Sequence, residues 1–304
     1  MVKDAVYRYI RLPPMCRAFC DTPEFQRLRD IKQLGIVYMV YPSAVHTRFE
    51  HSLGVMHLAG VVVDVLRSTG VSVSDREKQL VQLAGMLHDA GHIAWSHTLD
   101  SLLCAAGYAA HESRSVHILT KLNQRLKLLS TTEEAMVTRM IVGDRVGAAD
   151  RSFLYEIVAS PIGLDVDRFD YLQRDAYHTG MTGFQPDYII SCMRVLDGHI
   201  VVEEKARPEV EAMYRTRARM YRQLYRHPSV LRAEVTLVNH VLFPGFLEWV
   251  DANWEQLDDV MLVWRLRQSP AYSRLYARQW DELHGAGDTT EDDIASTINR
   301  VEFV

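Results

Sequence analysis

The sequence predicts an all-α protein, mostly helical with minor short β-hairpins. Three observations support this. Apolar residues recur at helical spacing, most clearly at Leu80, Leu83, Ala84 and Leu87. Helix-start signatures punctuate the chain at Thr22-Pro23, Ser74-x-x-Glu77 and Thr131-x-x-Glu134. Long helical segments occur where a doubly wound sheet would alternate strand and helix, and no Walker phosphate loop is present.

In chain order, residues 1–12 read as an extended arm in which Val6 to Ile10 alternate as a strand or hairpin would, ending at Pro13-Pro14. A helix is expected from Thr22 through Phe25, Leu28 and Ile31 to Gly35. The Ile36–Tyr41 tract leads through Pro42 into a loop. The next helix opens at Val45–His51 and ends at Gly70, with Gly54 and Gly60 admitting a close neighbour. The helix capped by Ser74 carries His88 near its end, Gly91 interrupts it, and His92–Leu103 is a turn and a further helix. Helices are also expected from His111 to about Leu119, from Thr131, over Phe153–Ile157 and over Asp165–Arg174. Asp197-Gly198 suits a hairpin turn within Val195–Val202. A long Arg- and Tyr-rich helix over 208–227 precedes segments near 229–242, 254–266 and 270–283. A flexible break at Gly285-Ala286-Gly287 comes before a last short helix from Asp288.

With 304 residues, 48% of them hydrophobic, the chain can bury a sizeable core. A formal net charge of -5 makes nucleic acid an unlikely main partner but leaves room for a local basic pocket. Four cysteines are too few for a disulfide scaffold. Cys16 and Cys20 have zinc half-site spacing, but nothing nearby completes the site, so they read as ordinary thiols. The expected setting is intracellular and soluble, cytoplasmic or nuclear, with no membrane span.

The chemistry concentrates in Ala84–His97, which holds His88, Asp89, His92 and His97 between apolar residues. His51 lies upstream and Asp167 downstream. Helices can bring such scattered residues to one point, and two imidazoles with two carboxylates suit a divalent metal: Fe, Mn, Zn, Ni or Mg. Taken singly, each residue suits an ordinary core or surface role. As a set they are joined by Asp167, Asp170, Tyr171 and Arg174 at helix-neighbour spacings, which favours a built site.

His51, His88-Asp89 and Asp167 resemble the H…HD…D signature of the HD-domain metal-dependent phosphohydrolases. The stretches Asp21-Thr-Pro-Glu-Phe-Gln-Arg-Leu-Arg29, His46-Thr-Arg-Phe-Glu-His-Ser-Leu-Gly54, Ser96-His97 and Asp165-Val-Asp-Arg-Phe-Asp-Tyr171 narrow the resemblance. They are similar to the catalytic core of the deoxynucleoside triphosphate (dNTP) triphosphohydrolases of the SAM-and-HD-domain type. The resemblance covers nearly the whole chain and implies an HD-domain fold with a catalytic core over 21–230. Residues 1–20 would be an N-terminal arm, and 231–304 a helical extension packed on the core. It implies metal-dependent cleavage of a dNTP to deoxynucleoside and inorganic triphosphate, with His51, His88, Asp89 and Asp167 as metal ligands. His92, His97, Asp100 and His111 would surround the α-phosphate and leaving oxygen. His97 would be the acid, Asp100 would orient it, and His111 would assist the phosphate. Arg48, Arg168, Tyr171 and Arg217 would hold the triphosphate. Gln33 and Asp175 would bind the sugar hydroxyl, with Leu34 and Tyr171 beneath the sugar. Tyr225 and His227 would lie beside the base, leaving Tyr221 to packing.

Asp21, Gln26 and Arg29 match an allosteric nucleotide site of the family; ordinary first-helix capping and surface charge is the competing reading. The family's arm motif is altered here to Asp4-Ala-Val-Tyr-Arg8, and Arg168 replaces a lysine. The altered arm and the end of the chain at Val304 give the expectation of a compact homodimer that is active without a strict nucleotide switch, higher oligomers remaining open. Two other readings stand beside this one. One is an HD phosphohydrolase acting on a monophosphate, a cyclic nucleotide or a ppGpp-like substrate. The other is a catalytically inactive binding protein.

Overall fold

The protein is described by a computed structural model covering residues 1–146, 149–237, 245–267 and 269–281. The arm is a hairpin of β1 (Val2–Asp4) and β2 (Arg8–Ile10), with Val2 opposite Ile10 and Asp4 opposite Arg8. Helices α1 (Pro14–Cys20), α2 (Pro23–Gln26), α3 (Arg48–Ser68), α4 (Asp75–Leu87) and α5 (His97–Ala105) follow. Next come α6 (His111–Leu126), α7 (Thr131–Val142), α8 (Ser152–Glu156), α9 (Val166–Thr179) and α10 (Asp187–Ser191). A second hairpin pairs β3 (Met193–Leu196) with β4 (His199–Val202), turning at Asp197-Gly198 as expected. The chain continues through α11 (Arg207–Met220), α12 (Pro228–Thr236), α13 (Phe246–Asn253), α14 (Asp259–Leu266) and α15 (Pro270–Tyr276). The fold is therefore mostly helical with two small two-stranded sheets, as the sequence predicts.

Several boundaries differ from expectation. Pro14 opens α1 instead of ending the arm, and Cys16 and Cys20 are buried free thiols on it. The helix expected from Thr22 to Gly35 stops at Gln26 and continues as a 3-10 turn over Arg27–Asp30. Phe25, Leu28 and Ile31 repeat every third residue, which suits that tighter turn. The backbone then leaves the helix to pair with the next segment: Arg48 N donates to Ile31 O and Gln33 N to His46 O. Ser130, one residue before the expected position, caps α7 through Glu133, because Glu134 is already bonded to Thr120 and Asn123. Helix α6 runs on to Leu126 because Leu122 and Asn123 continue its buried face. Asp258 caps α14 and so divides the segment expected over 254–266. Residues 238–242, the break at Gly285 and the last predicted helix lie outside the described residues.

Helix α3 is the axis of the main core, and α4 and α9 pack along it. By length and composition it could cross a membrane, but 72% of that stretch is buried inside the fold. A second apolar cluster joins Ile36, Ile93, Trp95, Leu99 and Leu103 to Leu262 and Leu266 of α14. The α3–α9 contact is close enough to demand Gly54: a Cβ there would lie 1.8 Å from Asp170 Oδ1 and 2.5 Å from Arg174 Nη2. Gly54→Ala is accordingly expected to cost roughly 1–3 kcal/mol, read as a fall in Tm. An unchanged Tm would contradict this packing.

Candidate metal centre and nucleotide cleft

The centre forms where three helices meet. His51 sits in the first turn of α3, His88 and Asp89 follow the end of α4, and Asp167 lies in the first turn of α9. His51 Nε2 is 3.1 Å from Asp167 Oδ1 and 3.4 Å from Asp89 Oδ2. His88 Nε2 is 3.3 Å from Asp89 Oδ1 and 3.4 Å from Asp167 Oδ1. All four predicted ligands thus converge. Asp89 also faces His92, whose Nε2 is 3.5 Å from Asp89 Oδ1.

The outer partners fix which nitrogen faces the centre. His51 Nδ1 is 2.8 Å from Asp170 Oδ2, and His88 Nδ1 is 2.9 Å from the Gly85 carbonyl. Each Nδ1 is thereby placed to donate outward, which leaves Nε2 facing the centre as the atom that would exchange its proton for a metal. Both Nε2 atoms are buried without a hydrogen-bond partner. Burial opposes a proton on His51, but Asp167, Asp170 and Asp89 override it and raise its pKa well above the ordinary value. Burial also opposes charge on Asp167, yet His51 and His88 hold it well below the usual carboxylate range. His51, His88 and Asp167 form one group of donors able to hold a metal ion, and Asp89 forms a second with His92 and His111. Imidazole and carboxylate donors of this kind suit a divalent metal.

Beside the centre opens a cleft of about 1000 Å³. Gln33, Leu34, Arg48, His97, His111, Arg168, Tyr171, Asp175, Arg217 and Tyr225 line it, in keeping with the residues singled out from sequence. Arg48 is enclosed, with Nη1 paired to Asp89, Nε 2.9 Å from Ser96 Oγ and Nη2 3.4 Å from Gln33 O. Gln33 Oε1 is buried without a partner. Asp175 accepts from Tyr225 Oη at 2.7 Å and faces His46 Nε2 at 2.7 Å. Burial and the Asp175 charge raise the Tyr225 pKa well above its ordinary value, keeping it a donor. Arg217 Nε reaches the Tyr171 hydroxyl at 3.2 Å.

Other expectations are revised. Asp100 orients His111 and not His97: its Oδ2 is 2.8 Å from His111 Nδ1, and its Oδ1 pairs with Arg114. His227 is not among the cleft-lining residues; its Nδ1 accepts from Ser229 N as the cap of α12. Tyr221 lines the cleft instead of packing away from it, because α11 ends in a π-turn over Tyr221–Tyr225. Arg145, Arg226 and Glu234 line the cleft without having been singled out. Gln26 and Arg29 bond to each other at 2.7 Å on the outer surface, with Asp21 exposed nearby, and none of the three lines the cleft.

The turn that delivers His97 is strained. Trp95 and Ser96 have φ of 56° and 50°, positive values that non-glycine residues seldom adopt. Asp259 of α14 holds the turn by accepting from Trp95 N at 2.8 Å and Lys32 N at 3.1 Å. Gly91 is required for close approach, since a Cβ there would lie 2.2 Å from His111 O.

The fold is thus a helical bundle that holds a buried His/Asp cluster beside an arginine-lined cleft. The HD domain family matches residues 48–175, and the chain belongs to that family. It is 33% identical over 238 residues to the deoxynucleoside triphosphate triphosphohydrolase SAMHD1 homolog of Dictyostelium discoideum, which covers 75% of this chain and 46% of that protein. It is 35% identical over 243 residues to the uncharacterized protein YwfO of Bacillus subtilis, covering 77% of this chain and 53% of that one. The chain thus spans about half the length of these curated relatives. A crystal structure of a hypothetical protein from Aquifex aeolicus superposes with a TM-score of 0.77 at 31% identity, covering 91% of this chain and 75% of that one.

His97 carries a testable electrostatic consequence. Enclosure by the cleft walls, then Arg48 and His111, push its pKa down to about 4. Its ring remains open to the cleft, so water moderates the effect while the direction stands. A depressed folded-state pKa adds stability above the unfolded value of about 6.5, and that stability is lost as pH falls through the folded-state value. Ring NMR of the unliganded protein, assigned with His97→Gln, is expected to show a neutral imidazole at pH 7 whose midpoint lies below the ordinary value. A midpoint at the ordinary value would contradict this.

Proposed function

We propose that the chain hydrolyses dNTPs to deoxynucleoside and inorganic triphosphate. The observation that carries this reading is the convergence of His51, His88, Asp89 and Asp167 beside a cleft lined by Arg48, Arg168 and Arg217. A triphosphate carries about four negative charges, and forked guanidinium donors match its oxygens. Its likeness to dNTP triphosphohydrolases supports the same substrate class.

His51, His88, Asp89 and Asp167 would hold a divalent metal, which when bound supplies Lewis acidity and lowers the pKa of water. Arg168 and Arg217 bind the outer phosphates, and Tyr171 is steadied by its bond to Arg217. The Tyr225–Asp175–His46 chain fixes a carboxylate at the sugar end. Water oxygen bonds to the α-phosphorus as the bond from phosphorus to the 5′ oxygen breaks. A proton on His97 passes to that oxygen, and the proton lost by the water goes to solvent. His97 is neutral in the free protein, so the proton must come with the substrate: the approaching phosphate charge raises the imidazole pKa and recruits it. Asp100 holds the His111 ring, whose centroid is 5.8 Å from that of His97.

Incubation with each dNTP and NTP in Mn or Mg is expected to release inorganic triphosphate from dNTPs. NTPs should be cleaved at least about 100-fold more slowly. Asp167→Ala should lower the rate by more than about 1000-fold. Orthophosphate or pyrophosphate as the product would direct the site to another nucleotide class.

A further inference from the structure

We propose that the N-terminal hairpin is a positioning element of the metal centre, acting through Asp4. A chain of buried charges joins the two. Asp4 Oδ2 is 2.9 Å from Arg174 Nη1, and Asp4 Oδ1 is 3.5 Å from Nη2. The other edge of the guanidinium grips Asp170, with Nε 2.9 Å from Oδ2 and Nη2 3.0 Å from Oδ1. Asp170 Oδ2 is 2.8 Å from His51 Nδ1, opposite the nitrogen that faces the centre. The side chains of His51, Asp170 and Arg174 are fully buried, and that of Asp4 is 5% exposed. Glu50, with Oε2 3.6 Å from Arg174 Nη1, is the remaining acid on this cation.

The same Asp4 carboxylate shapes the hairpin. Its Oδ1 accepts from Val6 N and Tyr7 N, both at 2.9 Å, closing the turn between β1 and β2. The Tyr7 ring then covers Arg174, with its centroid 5.7 Å from the guanidinium carbon. Gly54 leaves the space in which Asp170 and Arg174 meet. The hairpin therefore both seals this network from water and supplies one of its charges.

Charge balance gives the link its effect. Arg174 is shared between Asp4 and Asp170, with Glu50 farther off. If Asp4 is neutralised, more of the guanidinium charge turns on Asp170, which becomes a weaker acceptor for the His51 Nδ1 proton. A less polarised imidazole is a weaker ligand at Nε2, and loss of such outer partners typically lowers metal affinity about 10- to 100-fold. The inference rests on the metal reading of the centre, not on the identity of the nucleotide.

The test is titration of the metal-stripped full chain with Co²⁺, followed by calorimetry and by the visible spectrum of the bound ion. Asp4→Asn is expected to bind about tenfold more weakly with an altered spectrum, and Asp4→Glu to recover most of the affinity. Asp4→Ser, whose hydroxyl can keep the turn bonds while dropping the ion pair, should behave as Asp4→Asn does and serves if that variant folds poorly. Ile10→Ala loosens the same hairpin from its buried face without changing charge. It should lower Tm yet retain wild-type affinity. Two results would overturn the inference: Asp4 variants within about twofold of wild type, or an equal loss in Ile10→Ala at matched Tm. Asp167→Ala separates the two levels of failure. If it binds Co²⁺ as wild type does, the metal reading itself fails and takes this inference with it. If it does not bind while Asp4→Asn binds normally, only the inference fails.

Discussion

Three carboxylates, Asp89, Asp167 and Asp170, crowd around the imidazole of His51, and the rest of the structure is arranged to make that tolerable. Buried like charges repel and lose hydration, so each must find a cation or donor. Arg48 takes Asp89, and Arg174 takes Asp170. Burial raises the Asp170 pKa, but Arg174 outweighs it and brings it down to about 2, so this carboxylate stays ionised. Asp167 faces His51 and His88, with the Arg168 charge also acting on it. Helix α9 makes the arrangement compact by placing Asp167, Asp170 and Arg174 at spacings of three and four residues, one above another on a single face.

The same balance separates the two jobs of the Ala84–His97 stretch. His88 and Asp89 are held from behind by Gly85 O and Arg48, which leaves their free atoms to the centre. Burial, then Arg48 and His111, lower the pKa values of His92 and His97. His97 lines the cleft as a neutral imidazole beside a cation, whereas His92 is fully buried and faces Asp89. Under the proposed reaction His97 would become a proton donor only once phosphate oxygens raise its pKa, which ties protonation of the leaving oxygen to occupancy of the cleft.

Much of this was legible in the sequence because it is local. The capping box at Ser74, the stripe along α4 and the 167/170/174 spacing each depend on residues within a turn or two. The four ligands were legible as a set because of the HD signature. What was not legible depends on partners far away in the chain. Asp100 was assigned to His97, its near neighbour, yet α6 folds back to bring His111 and Arg114 against it. His227 was read beside the base, but the Pro228 helix start recruits it as a cap. Asp259 gave no signal at all, since its worth comes from two backbone N–H groups more than 160 residues upstream. The helix expected through Ile31 ended early for a similar reason: pairing with 46–48 outweighed a local preference that was weak to begin with.

Asp4 and Asp259 show how the centre and cleft are secured from opposite ends of the described chain. Each is a buried acid on a peripheral element. Asp4 reaches the His51 side through Arg174, and Asp259 reaches the His97 side through Trp95 N and Lys32. Neither is a ligand or lines the cleft. A strained turn such as Trp95-Ser96 persists only when its surroundings over-determine it. Here Asp259, the Ser96 Oγ bond to Lys32 O and the apolar packing of Trp95 do so together. The His51 side and the His97 side of the site are thereby each held by a clamp of their own. The two clamps share no residue; between them lie Arg48, which bonds both Asp89 and Ser96, and His92, which faces Asp89 and packs against the His97 ring, so loosening one end should act on the other half only through these two side chains.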